Sequence, residues 1–215
     1  MKKIITILLS FIFISFQSAK AEMGVGITGA LHMLDASGTE TTKHSSEKNN
    51  GSHEEDAAVL ELFAEALLDN GSTLGIAYIP TRDMGSKSRS DTNSEGDTGT
   101  YKAAAELDNV VQVYTDVMLP TEVYGQSLYV KLGIQHATIA TLESLNSGSS
   151  YPDEDVFGYT VGLGTKGDLP YGNNLYYKAD LTYTDFEDYE ATASGNKVVA
   201  ELEDVAVKLS LGYKF

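Results

Sequence analysis

The chain has no cysteine and no tryptophan, and only 4 of its 215 residues are proline. Without cysteine there is no disulfide, no thiolate metal centre and no cysteine nucleophile, so stability must come from a core or a hydrogen-bonded sheet. Positive charge is scarce as well: 15 Lys and Arg stand against 31 Asp and Glu, a net charge of −16. Such a field repels polyphosphates, which argues against DNA or RNA as partners. Long apolar runs are missing too. Beyond residue 21 no stretch approaches the roughly twenty apolar residues of a membrane-spanning helix. Few segments are continuously apolar, and a conventional globular core is hard to place.

The one sustained apolar run lies at the start. Lys2 and Lys3 precede Ile4 to Phe16, and Ala19-Lys20-Ala21 follows as a small-x-small site. These are the three parts of a secretory signal peptide, predicted to occupy residues 1–21 and to be cut between Ala21 and Glu22. Cleavage would leave 194 of the 215 residues, with 12 basic and 31 acidic side chains. That length suits a single exported domain, residues 22–215.

What this domain does contain is short alternation. Val207, Leu209, Leu211, Tyr213 and Phe215 alternate with Lys208, Ser210, Gly212 and Lys214 up to the last residue. A strict period of two is a β-strand with one apolar and one polar face. The same pattern recurs over Val25–Met33, Leu74–Tyr78, Val111–Leu119, Leu128–Ile134, Phe157–Leu163 and Leu175–Tyr183. The run Ala57–Asp69 is rich in Ala, Leu and Glu, which favour a helix. It ends, however, at Asn70-Gly71, the strongest short hairpin signal, and is read as the eighth strand. The connections alternate in length. Long polar loops are expected at Asp35–Asp56, Asp83–Thr100, 143–155 and 187–197, with shorter turns between.

Eight short antiparallel strands with long loops at one end and short turns at the other are the layout of a transmembrane β-barrel. The missing core is then explained: the apolar rows face lipid, and polar or small residues face inward. Closure leaves no unpaired strand edge in the hydrocarbon. Lys208, Ser210, Tyr213 and Phe215 also resemble the C-terminal assembly signal of Gram-negative outer-membrane proteins. With the leader and the strand count, the chain resembles the small OmpX/OmpA-type barrel superfamily, porin-family-like in pattern. The resemblance implies an all-β, eight-stranded up-and-down barrel in the outer membrane, with both termini periplasmic. It also implies a monomer surrounded by lipid and lipopolysaccharide, delivered by periplasmic chaperones and the barrel assembly machinery, with a structural or surface-interaction role.

Inward-facing positions carry charges of both signs: Glu61, Glu65, Asp116, Lys131, Lys178, Asp180 and Lys208. An eight-stranded barrel has room for little beyond its own side chains, so a packed ion-pair network is expected. The alternative is a narrow porin-like conduit. Lipid-modifying catalysis is the third reading, and it finds little support. His136 should face lipid and His32 the interior, with no serine two residues from His136 to serve as a nucleophile. His44, His53, Glu54, Glu55 and Asp56 are ligand-type residues whose spacing matches no defined metal motif. No cofactor and no metal are expected.

Overall fold

The computed structural model describes residues 21–41, 48–92, 98–123, 126–142, 151–170, 174–193 and 195–215. The signal-peptide segment, with Ala19, lies outside them; Ala21 and Glu22 lie within. Every regular element among the described residues is a strand: β1 (Glu22–Thr41), β2 (Lys48–Leu67), β3 (Thr73–Ile79), β4 (Arg82–Thr92), β5 (Thr98–Val123), β6 (Gln126–Thr141), β7 (Glu154–Asp168), β8 (Leu175–Phe186), β9 (Tyr189–Ala193) and β10 (Asn196–Lys214).

These ten strands make eight staves. β3 and β4 both pair with β5 and form one stave, interrupted at Pro80 and Thr81. β8 and β9 both pair with β10 and form another. Proline has no N–H to give to a ladder, which accounts for the first break. Antiparallel neighbours then run β1-β2-β3-β5-β6-β7-β8-β10, and β10 returns to β1. The closing seam extends from Gly24 opposite Lys214 to Thr41 opposite Lys197. Met23 and Phe215 add a last rung by exchanging backbone hydrogen bonds of 3.3 and 2.9 Å. The Asn70-Gly71 hairpin turns tightly, with Gly71 at φ +82°, a conformation glycine adopts without strain.

The outside of the ring is an apolar belt. Ile27, Leu31, Leu62, Ile76, Val113, Leu132, Leu163, Leu181 and Leu209 all point outward and are exposed. Tyr78, Tyr159 and Tyr183 mark the belt's far edge, and Tyr213 and Phe215 its terminal edge. From Val205 to Phe215 the belt is roughly 25 Å tall for a tilted strand, the height of a hydrocarbon layer. The ring is a transmembrane β-barrel.

Three segments expected to be long loops are largely strand. β1 and β2 stay paired out to Thr41 and Lys48, β4 and β5 pair from Arg82 to Thr92, and β9 pairs the start of β10. The reason is physical. An apolar outer face reports contact with lipid, and it stops at the belt even where the ladder does not.

Beyond the belt the ring divides into two leaves. β2 pairs with β3 only from Leu62–Tyr78 to Leu67–Thr73; farther out, among the described residues, β2 pairs only with β1 and β4 only with β5. One leaf is therefore β2-β1-β10-β9 and the other β4-β5-β6-β7. Between them lies an apolar core, with Leu34, Tyr189, Ala191 and Leu202 from the first leaf. Ile79, Leu107, Val110, Ala137, Ile139 and Val156 face them from the second side. Tyr151 Oη donates to Glu40 Oε1 (3.3 Å) and Tyr189 Oη to the Pro152 carbonyl (2.8 Å), tying the leaves across one gap. In the other gap the His53 ring of β2 lies on Gly85 of β4, where an added Cβ would fall 2.0 Å from its Nε2.

Leu181, 55% exposed on the belt, should not tolerate charge: Leu181→Arg is expected to cost about 2–4 kcal/mol in bilayer unfolding titrations. Thr192→Arg, outward on β9 beyond the belt, should stay within about 0.5 kcal/mol of the parent. Equal costs at the two positions would place the belt wrongly.

Candidate functional site

The alternation that puts leucine and valine on the outside puts every second residue into the bore. Nearest the termini this inner row carries aromatic rings, each lying over a glycine of an adjacent strand. Tyr114 covers Gly75, Tyr129 covers Gly164, Phe63 covers Gly26, and Tyr176 covers Gly212, with its hydroxyl at Gly24 one strand farther. A Cβ added at Gly164 would sit 2.4 Å from Tyr129 Cζ, so only glycine lets the ring lie flat against the wall. The rings narrow the bore and carry hydroxyls to its axis.

Those hydroxyls join the first of two ion clusters. Lys178 Nζ reaches Glu65 Oε2 at 2.8 Å and Asp116 Oδ2 at 2.5 Å. Lys131 Nζ lies 3.1 Å from Asp116 Oδ1 and 3.5 Å from Asp180 Oδ1. Tyr114 and Tyr176 donate to the two oxygens of Glu65 (2.7 and 2.8 Å), and Tyr129 donates to Asp180 (2.5 Å). Thr73 donates to Asp116 at 2.9 Å. Lys131 also sits 4.0 Å from the centre of the Tyr114 ring, in cation–π range. All five charged members are buried.

A neutral layer lies alongside. Gln112 and Gln135 donate to Thr160 (3.0 and 3.1 Å), Gln135 also donates to Thr184 (3.1 Å), and the two threonine hydroxyls are 2.8 Å apart. The second ion cluster is centred on His32, fully buried on β1. Its Nε2 is 2.9 Å from Glu61 Oε1 and its Nδ1 2.7 Å from Asp204 Oδ2. Lys208 pairs with Glu61 at 2.7 Å and Arg82 Nη1 with Asp204 at 2.8 Å. The apolar core of the two leaves caps the bore beyond this cluster. A cavity of about 20 Å³ between the clusters is lined by Glu61, Lys131, Lys178, Asp180 and Lys208 among others; it holds about one water molecule.

Glu61, Glu65, Asp116, Lys131, Lys178, Asp180 and Lys208 thus all lie in the bore, divided between two clusters. Sequence reasoning missed two charged partners, Asp204 and Arg82. Asp204 shares parity with Lys208 on the terminal strand and was recoverable. Arg82 lies just past Pro80, at the edge of an expected loop, where parity could not be carried forward. Strand parity puts Tyr114, Tyr129 and Tyr176 on the inward row with Asp116, Lys131 and Lys178; what it could not show is which glycine of another strand each ring covers. Of the four positions expected to form an assembly signal, Lys208 and Ser210 point inward, the latter 2.7 Å from Thr28 Oγ1; Tyr213 and Phe215 point outward. His136 stacks edge-on against Phe157, with ring centres 5.3 Å apart, and stands 4.0 Å from Asp155 Oδ2. His53 faces Glu55 at 3.1 Å on the exposed part of β2; His44 lies outside the described residues.

No protein-family model matches the chain, and no curated protein matches it in sequence. Solved structures do match in shape. The outer membrane protein OprG of Pseudomonas aeruginosa aligns over 93% of this chain and 98% of its own, with 16% identity and a TM-score of 0.53. The fold is that of Gram-negative outer-membrane β-barrels. The outer membrane protease OmpT of Escherichia coli aligns over 93% and 99%, at 11% identity and a TM-score of 0.49. At these identities the likeness is one of fold.

Lys178 is the cation paired with Glu65, whereas Asp116 also has Lys131, so Lys178→Met should leave buried Glu65 without a cation. The expected loss is about 3–5 kcal/mol, read as a lower urea midpoint of the folded gel band. An unchanged midpoint would mean that the cluster contributes nothing to stability.

Proposed function

We propose that this chain is exported, loses residues 1–21, and serves in the outer membrane as a monomeric barrel with a structural or surface-interaction role and no catalysis. The observation that carries this reading is the filled bore. Aromatic rings, two ion clusters and an apolar cap follow one another along its length, and the cavity between the clusters is about 20 Å³. A hydrated ion needs far more room. That packing speaks against a porin-like conduit. Against lipid modification stands the setting of His136: among the described residues its partners are Phe157 and Asp155, with no hydroxyl hydrogen-bonded to its ring. In planar bilayers the purified protein should give no discrete, reproducible openings; openings of constant size would replace this reading with the channel.

The far leaves are the surface offered to partners. Their outer faces carry a row of carboxylates on adjacent strands, with Asp35 directly opposite both Glu54 and Glu203, and Glu203 opposite Asp185. Like charges placed side by side weaken a sheet, so the row gives the fold nothing and suits an outward-facing role. With the termini periplasmic, it faces the phosphates of lipopolysaccharide, the lipid partner in this reading, across divalent cations that offset the two sets of negative charge.

Delivery by periplasmic chaperones and the barrel assembly machinery belongs to the same proposal, with Lys208, Ser210, Tyr213 and Phe215 as the signal. Phe215 makes a single rim contact with lipid, so its loss should cost about 1–2 kcal/mol. A machine reading an extended strand by edge pairing and side-chain pockets would lose more. Phe215→Ala should therefore sharply reduce folded protein in cells while refolding in detergent with a near-normal urea midpoint. Equal failure in both settings would make Phe215 a structural residue only.

A further inference from the structure

His32 is held in an arrangement that no single protonation state satisfies. Its Nδ1 lies 2.7 Å from Asp204 Oδ2 and also 2.6 Å from Arg82 Nη1, while Nε2 faces Glu61 Oε1 at 2.9 Å. If both ring nitrogens carry protons, both donate to carboxylates, and the ring then presses a cation against the Arg82 guanidinium. If the ring is neutral with its proton on Nε2, Nδ1 accepts from Arg82 but turns a lone pair toward the Asp204 carboxylate. With the proton on Nδ1 instead, Nε2 turns a lone pair toward the Glu61 carboxylate and Nδ1–H meets the Arg82 donor. The surrounding charges do not decide the matter. Glu61 from β2 and Asp204 from β10 face Lys208 from β10 and Arg82 from β4, so the cluster is balanced before the ring's proton is counted.

Relief is available at one place. Among the described residues, Arg82 Nε and Nη2 and Asp204 Oδ1 are buried without hydrogen-bond partners. A protonated ring keeps Asp204 Oδ2, and Arg82 is then free to move off the ring and pair with Oδ1. A neutral ring keeps Arg82, and Asp204 Oδ2 must turn away. These are two discrete hydrogen-bond patterns, and they differ in where Arg82 sits.

Arg82 is also the first residue of β4, immediately after the Pro80–Thr81 break. β4 is laddered to β5 and, among the described residues, not to β2, which it faces across the open side of the leaves. On that side the two strands meet through side chains such as His53 on Gly85. We propose that His32 is a proton-operated latch: gain or loss of one proton on its ring moves Arg82 and thereby resets how β4 seats against β2. Of the side chains in this cluster, the imidazole is the one that takes up and releases a proton without needing a strongly acidic or basic medium.

The absence of cysteine makes the test direct. Spin labels on Ser52→Cys of β2 and Ser86→Cys of β4, both exposed, report the separation across the gap in the full barrel refolded into lipid bilayers. Between about pH 5 and 8 the distance distribution should shift between two populations with a one-proton midpoint. The shift should survive replacement of His44 and His136 by alanine and His53 by glutamine, which keeps a side chain over Gly85 and leaves His32 as the sole imidazole, and should vanish in His32→Gln. No shift in the parent would overturn the latch, as would persistence in His32→Gln. Loss of the shift in the triple variant would move the sensor to another histidine, with His53 in the gap the first candidate. Should His32→Gln fail to give the folded gel band, the parent and the triple variant decide alone.

Discussion

A polar group cut off from water must find its partner within the protein, and nearly every feature of this molecule follows from that. The wall obeys it by closing: β10 returns to β1, and Met23 and Phe215 complete the rung that would otherwise be an edge in lipid. The bore obeys it largely by pairing, with Gln135 Oε1 and Lys166 Nζ among the exceptions. Lys178 is held between Glu65 and Asp116, Lys208 meets Glu61, and three tyrosine hydroxyls and that of Thr73 donate to Glu65, Asp180 and Asp116. Removing water from the bore and leaving these charges uncompensated would cost more than the barrel's whole margin of stability.

The small diameter makes the rule demanding. Eight staves leave a channel that side chains can fill, and here bulk comes from rings rather than from leucine. A ring can lie flat against the wall only where the neighbouring strand offers glycine, so Gly75, Gly164 and Gly212 are seats for Tyr114, Tyr129 and Tyr176, and Gly24 one strand farther makes room for the Tyr176 hydroxyl. The same glycines would weaken an ordinary strand. Their use here fits a bore that is built to be full.

Beyond the belt the demand changes. Strand edges there can meet water, and the ring no longer needs to stay closed. Pro80 ends the ladder between β3 and β2 at the belt's edge, and the two leaves that result bury apolar side chains between them instead of polar ones. The His32 cluster sits where the two regimes meet. It carries atoms left over from both: hydrogen-bonding groups without partners, directly beneath a core that can supply none.

Strand parity was legible in the sequence because lipid enforces it. Any outward residue in the belt had to be apolar, so Leu209, Leu181 and Leu163 revealed the faces, and Glu61, Asp116 and Lys178 fell inward by elimination. The end of the chain and the Asn70-Gly71 turn set the frame in the same way. Where lipid stops, that signal stops. The outer parts of β1, β2, β4 and β5 look like loops in sequence because water accepts Ser, Asn and Lys on a strand as readily as on a turn. The tertiary structure decided the rest: that these segments pair, that they part into two leaves, and that Arg82 and Asp204 reach His32. Contacts such as Arg82 with Asp204 join residues 122 positions apart. Their partners depend on ring closure and stagger, which no local pattern encodes.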